Sequence, residues 1–202
     1  MNLATFFDTE TTGLPLFKEP SDHLSQPHIV QLGACLVDLD TRKIISTLDV
    51  IIRPEGWTIP DDVAAIHGIT TELAADVGVP ESLAVEMLLD MTRGRLRIAH
   101  NEQFDARIVR IACKRHFDES SVTEWMDGRA ACTALLATPI MMLPPTAKMK
   151  AAGFNKFKTA SLGEAVEHFA GKKLEHAHSA LSDVHGCMAV WFGIQDLQQV
   201  AA

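Results

Sequence analysis

The sequence predicts an α/β fold, a mixed five-stranded sheet with flanking helices, and three observations carry that prediction. Residues 2–10 open the chain as an apolar, β-prone run. Two further β-rich runs, 28–38 and 43–53, are separated by a link through Asp40, Thr41 and Arg42 that is short enough for an antiparallel hairpin. Helical periodicity then alternates with a short returning strand at 95–100. The length of 202 residues suits one domain, 1–202, with an ample core.

Residues 14–27 carry three prolines and little periodicity, which reads as a loop. Pro60-Asp61-Asp62 is a helix-start signal for residues 63–66, and Thr70 can cap a short helix through Ala75. Residues 80–91 read as a helix with Leu83, Met87 and Met91 on its inner stripe, stopping near Gly94. Asn101 has the chemistry of an N-cap for a helix over 102–116. On that helix Asp105 is in register with Ile108, Val109 and Ala112, so an acid sits on the apolar stripe. Residues 120–127 are polar and acidic, and 129–137 are ambiguous between strand and helix. Pro139, Pro144 and Pro145 bound a loop running through Lys148, Lys150, Lys156 and Lys158, the most basic part of the chain. Thr159-Ala160-Ser161 caps a helix through Ala170, closed by Gly171. Residues 180–199 form the last helix, with Asp183 between the inward positions Ala180 and Cys187.

Composition excludes several classes. Hydrophobic residues are 47% and charged ones 22%, ordinary for a folded soluble protein. No apolar run is long enough to span a bilayer, and the N-terminus has no secretory pattern, so a cytoplasmic protein is expected. Cys35, Cys113, Cys132 and Cys187 are widely spaced without a CxxC pair, which favours reduced thiols. The net charge of −8 argues against broad wrapping of duplex nucleic acid but permits a local strand-binding groove.

The chemistry gathers on acids. Strand alternation sends Asp8 and Glu10 to one face, roughly 6.5–7 Å apart at Cα. Asp105 and Asp183 each take an inward helix position. Oxygen-only ligands of this kind suit Mg²⁺ or Mn²⁺, and a pair of such ions is the usual apparatus for phosphodiester cleavage. His178, five residues before Asp183, falls in the loop ahead of the last helix, where it could act as general base. A zinc site from His176, His178 and His185 is a rival, but it calls for softer ligands and leaves the acids unexplained.

Asp8-Thr9-Glu10-Thr11-Thr12-Gly13, His100-Asn101-Glu102-Gln103-Phe104-Asp105 and His178-Ser179-Ala180-Leu181-Ser182-Asp183 resemble, in order, the three motifs of DnaQ-like 3′–5′ exonucleases of the DEDDh type. The resemblance implies a ribonuclease H-like fold and two-metal hydrolysis that releases nucleoside 5′-monophosphates from a 3′ end. It assigns Asp8, Glu10, Asp105 and Asp183 as ligands of two Mg²⁺ or Mn²⁺, and His178 as base. The sister type has tyrosine in place of that histidine, and this chain has no tyrosine. By the same resemblance Thr9, Thr11 and Thr12 contact the terminal nucleotide, Ile66 and His67 meet its base and sugar, and Phe104 packs beneath it. For Phe104 core packing is the alternative, and for His100, placed near the site, a structural hydrogen bond is. The lysine cluster either tracks the strand's backbone or is a solvated loop.

The expected function is therefore 3′–5′ exonuclease action on single-stranded DNA ends, as in DNA polymerase III epsilon-type and phage-encoded proteins. An exoribonuclease of the RNase T or oligoribonuclease kind is the alternative, and a non-catalytic replisome module a further one. A DNA polymerase or replisome component is an expected partner. The chain stops soon after its last helix, without the tail that proofreading subunits use to hold a polymerase.

Overall fold

Alternation along the first strand divides the core. Phe6 and Phe7 are both fully buried, on opposite faces of β1 (Leu3–Thr11). Phe6 meets Trp191 and Phe192 on one side, while Phe7 meets Trp125 edge-on at 5.6 Å on the other. The computed structural model describes residues 1–175 and 177–200.

β1 pairs antiparallel with β2 (Ile29–Asp38), which pairs antiparallel with β3 (Lys43–Ile51) through the expected tight link. On its other edge β1 runs parallel to β4 (Leu96–Ala99), followed by β5 (Ala130–Cys132). The sheet is thus mixed and five-stranded, in the order β3-β2-β1-β4-β5. Seven helices precede the last two: α1 (Asp61–His67), α2 (Thr71–Val77), α3 (Glu81–Thr92), α4 (Glu102–His116), α5 (Glu119–Asp127), α6 (Thr133–Met141) and α7 (Ala147–Ala151). α8 (Leu162–Ala170) and α9 (Ala180–Val200) follow. α3, α4 and α5 cover the Phe7 face, and α9 covers the Phe6 face. This is the ribonuclease H-like architecture.

Several local readings hold. Thr70 caps α2 through Leu73, Ser161 and Glu164 form a capping box on α8, and Gly171 ends α8 in the left-handed conformation. All four cysteines are free. Among the described residues no helix is long and apolar enough to cross a membrane.

Other readings are corrected. α3 turns Ala84, Val85 and Leu88 inward, while Leu83 and Met87 are 45% and 44% exposed; the apolar residues form a wide arc opposite Ser82, Glu86 and Asp90, and Leu83 and Met87 fall at its edge rather than its centre. Asn101 stands at the N-cap of α4 with φ 65°, and its side chain makes no capping bond; its carbonyl instead accepts from the Phe104 amide. Residues 119–127 form α5, capped by Asp118 and anchored by Val122 and Trp125. The ambiguous 129–137 stretch divides into β5 and the start of α6, and Pro139 lies inside α6 rather than bounding a loop. Pro139 and Leu135 are both exposed, so the carbonyl that proline leaves unpaired can be met by water.

The 14–27 loop is bound to α4. Arg107 donates to the carbonyls of Leu16 and Glu19, Arg110 to Ser21 Oγ, and Arg115 to the carbonyls of Gln26 and Pro27. The buried Gln26 side chain fastens the loop from within, accepting from Leu16 N and donating to Pro20 O. Beside it Glu81, only 5% exposed, accepts from Ile29 N, Arg115 Nη1 and His116 Nε2, and lies 3.2 Å from His28 Nδ1.

Candidate active site

The site lies at the carboxyl ends of β1 and β4, which run parallel, a position where loops leave room for a ligand. Asp8 and Glu10 stand on the α9 face of β1. Their cross-strand partners on β2 are Gly33 and Gln31. These two residues position the start of α9. A Cβ on Gly33 would come within 2.6 Å of the backbone at Ala180 and Leu181, so only glycine admits the helix this close. Gln31 Oε1 accepts from the Ala180 amide at 3.1 Å, satisfying one free N–H of the first turn. Asp183, in that first turn, is thereby carried to Glu10.

Glu10, His178 and Asp183 each offer a ligand atom within 4.8 Å of the others. His178 sits in the exposed turn two residues before α9, with φ 67°, and its backbone amide donates to Asp183 Oδ2 at 3.3 Å. Ser182 Oγ donates to Glu175 O and ties the same turn down. The rival zinc set is not assembled among the described residues: His185 has Nε2 3.9 Å from Cys35 Sγ, and His176 lies outside them.

Asp105 arrives from the other face. It is buried on α4, as its register predicts, and its Oδ1 accepts from both the amide and the hydroxyl of Thr9. Thr9 is itself buried, which puts it behind the carboxylate rather than on the open side of the site.

Burial raises all four acids, and a neighbouring carboxylate adds to it at three of them. Burial, then Asp105, Asp183 and Glu10, raise Asp8 well above the ordinary carboxylate range. Burial and Asp183 push Glu10 up to about 7, against the opposing charge of His178. Burial also pushes Asp105 up to about 7 despite the Thr9 bonds. Asp183 is raised by burial, and its Oδ1 is enclosed without a hydrogen-bond partner.

The remaining predicted residues fall around this centre. Thr11 donates to Gly13 O, and Thr12 Oγ1 accepts from His28 N, so both shape the turn after β1. Ile66 is exposed. His67 lowers toward the neutral form through burial and the nearby His178; its Nδ1 accepts from Ile69 N, and its Nε2 is enclosed without a partner. Phe104 packs partly into the core. His100 donates from Nε2 to Ala160 O at 3.0 Å and has Nδ1 2.9 Å from Thr133 Oγ1, so both ring nitrogens are engaged structurally. Sequence reasoning missed Gln31 and Gly33. The glycine was the available signal, because glycine inside a buried strand marks a close approach.

Comparison with known proteins agrees with this architecture. The family model described as "Exonuclease", RNase_T, matches residues 5–191. The DNA polymerase III subunit epsilon of Treponema pallidum is 32% identical over 108 residues, covering 52% of this chain and 43% of that protein. The uncharacterized exonuclease CP81 of Escherichia phage 186 is 27% identical over 186 residues, covering 88% and 80%. The crystal structure of E. coli exonuclease I in complex with a dT13 oligonucleotide superposes with a TM-score of 0.72 at 16% identity, over 100% of this chain and 42% of that one. The chain thus spans less than half the length of that epsilon subunit and of exonuclease I.

Proposed function

This chain belongs to the exonuclease family, and on that footing we propose that it is a metal-dependent 3′–5′ exonuclease. In this reading it hydrolyses phosphodiester bonds at the 3′ end of single-stranded DNA and releases nucleoside 5′-monophosphates. The observation that carries the reading is the meeting of Glu10, His178 and Asp183 within 4.8 Å, with Asp8 and Asp105 crowded against them.

Two features fit a divalent cation. Asp183 Oδ1 is buried without a partner, and Asp8, Glu10 and Asp105 are all raised by burial, with a neighbouring carboxylate adding to each shift. The all-oxygen donor set Asp8, Glu10, Asp105 and Asp183 suits two Mg²⁺ or Mn²⁺. Such ions, when bound, supply Lewis-acid activation of water and neutralise charge on the leaving oxygen. His178 is the general base, since an imidazole can take the proton of the attacking water near neutral pH. Ile66 and Phe104 offer apolar surface to the terminal nucleotide, His67 stands beside them, and Thr11 and Thr12 hold the turn that faces it.

Single-stranded 3′ ends are the proposed partner, with a polymerase or replisome component beyond them; the epsilon-type relatives support this. The test is mononucleotide release from 3′-labelled and 5′-labelled single strands, DNA and RNA in parallel, with Mg²⁺, Mn²⁺ or EDTA. A metal-dependent ladder shortening from the 3′ end is expected, faster on DNA. Faster loss of RNA would move the substrate to the exoribonuclease class. No cleavage of either polymer under any metal would sink the enzyme reading.

A further inference from the structure

From residue 128 to 163 the chain runs 36 residues without an acid, although it holds 26 acids in all. The same stretch carries Arg129, Lys148, Lys150, Lys156 and Lys158. On a protein of net charge −8 this is a concentration of the opposite sign. In the fold it comprises β5, α6, α7 and the connection into α8, on the β4–β5 side of the site.

Its aromatic side chains are not in the core. Phe154 is 63% exposed and Phe157 49%, and in Phe154-Asn155-Lys156-Phe157-Lys158 they alternate with cations. The segment is nevertheless held in place: the Phe154 amide donates to Met149 O and the Lys158 amide to Leu143 O, each at 2.9 Å. A cavity of about 540 Å³ lies between Lys158, Leu135, Gln103 and Ser161. A second, of about 430 Å³, is lined by Ser161, Lys173, His178 and Asp183. Ser161 borders both, so the cavity beside His178 and Asp183 adjoins the one that Lys158, at the end of the basic, aromatic segment, helps to line.

We propose that this segment is a platform for the part of the single strand that precedes the reacting nucleotide. Bases stack on Phe154 and Phe157, and phosphates follow Lys148, Lys150 and Lys156; Lys158 is already paired with Glu164. The proposal rests on the nuclease reading and extends it to the strand's path. Alternating cations and exposed rings match a polymer with one charge and one aromatic face per unit. A duplex hides its base faces, so the recognition is for unpaired strands. An amphipathic membrane contact is disfavoured, because α7 has only five residues and presents no extended apolar face.

The test uses the full chain and a fluorescein-labelled oligothymidylate of about 12 nucleotides. Binding is read by anisotropy in EDTA, and hydrolysis with Mn²⁺ is read on the same strand and on the p-nitrophenyl ester of thymidine 5′-phosphate. The ester is small enough to reach only the carboxylates. The double variant Phe154→Ala/Phe157→Ala should weaken strand binding roughly tenfold or more and raise KM on the strand alone. Phe157→Trp should retain binding, with indole quenching by the stacked base. Lys148→Ala/Lys150→Ala/Lys156→Ala should lower the slope of log K against log salt by about 2. Unchanged strand affinity, salt slope and KM in both variant sets would overturn the platform, while ester turnover would leave the nuclease reading standing. If wild type cleaves neither substrate, the nuclease reading falls, and the anisotropy comparison still decides the platform.

Discussion

Thr9 donates twice to one oxygen of Asp105, its amide at 3.1 Å and its hydroxyl at 2.7 Å, across 96 positions of sequence. The pair locks the strand that carries Asp8 and Glu10 to the helix that carries Asp105. Both bonds favour the carboxylate form, against burial that raises it. Thr9→Val removes the hydroxyl donor and keeps the amide. Asp105 should then ionise at higher pH, so the acid limb of kcat/KM should move upward and activity at pH 7 should fall roughly tenfold. An unchanged pH profile would contradict a positioning role.

Gly33 sets how closely α9 approaches the sheet. Gly33→Ala should destabilise the protein by about 1–3 kcal/mol and cut activity out of proportion, because the displaced backbone leads to Asp183. Gly163 is the control: it lies in α8, and a Cβ there would meet nothing within 4 Å. Gly163→Ala should be neutral or stabilise by up to about 1 kcal/mol. Thermal unfolding of the two variants, with activity on each, checks both.

The crowded acids predict a site that costs stability until it is filled. Asp105 is raised to about 7 when folded, so between about pH 4 and 7 the folded state holds a proton that the unfolded chain releases. Metal-free stability should therefore fall as pH rises through that window. Asp105→Asn should raise Tm in EDTA by roughly 2–4 °C at pH 8, for about 1 kcal/mol, and by less at pH 5. Added Mn²⁺ should then stabilise wild type more than the variant. No Tm gain at pH 8 would count against a cost of burying this carboxyl ionised.

Glu81 carries the opposite sign. Burial alone would raise it, but His116, His28, Arg115 and the Ile29 amide more than offset burial and hold it well below the usual carboxylate range. Its contribution is present above its unfolded pKa and lost as pH falls toward the folded one. Glu81→Gln should cost about 3 kcal/mol in urea unfolding at pH 7, and less near pH 3. An equal cost at both would rule out the ionic origin.

His178→Ala should lose most turnover yet keep Mn²⁺ binding by calorimetry, whereas Asp8→Ala should lose both. Full Mn²⁺ affinity in Asp8→Ala would remove it from the ligand set.

Much of this architecture was legible where one residue broke a pattern. Asp105 interrupts an apolar stripe, and Asp8 and Glu10 share a strand face, so chemistry stood out against burial. Where many residues fitted a pattern, the reading failed. On α3 the apolar arc is wide, and the stripe of Leu83, Met87 and Met91 lies toward one edge of it, beside Glu86 and Asp90. Thr9 was grouped with its neighbours in the motif, although alternation already turned it to the α4 face. Glu81 gathers His28, Arg115 and His116 from distant segments, a convergence that no local window contains.

The acid-free stretch of residues 128–163 has a kinetic consequence. Its five cations leave the remaining residues at −13 within a total of −8. Seen from afar, the molecule repels a polyanion; within a Debye length, about 10 Å at 0.1 M salt, an incoming strand feels the nearest patch instead. Low salt extends the repulsion and high salt erases the attraction. Encounter with a single strand should therefore be fastest at intermediate ionic strength, with the molecule arriving lysines first.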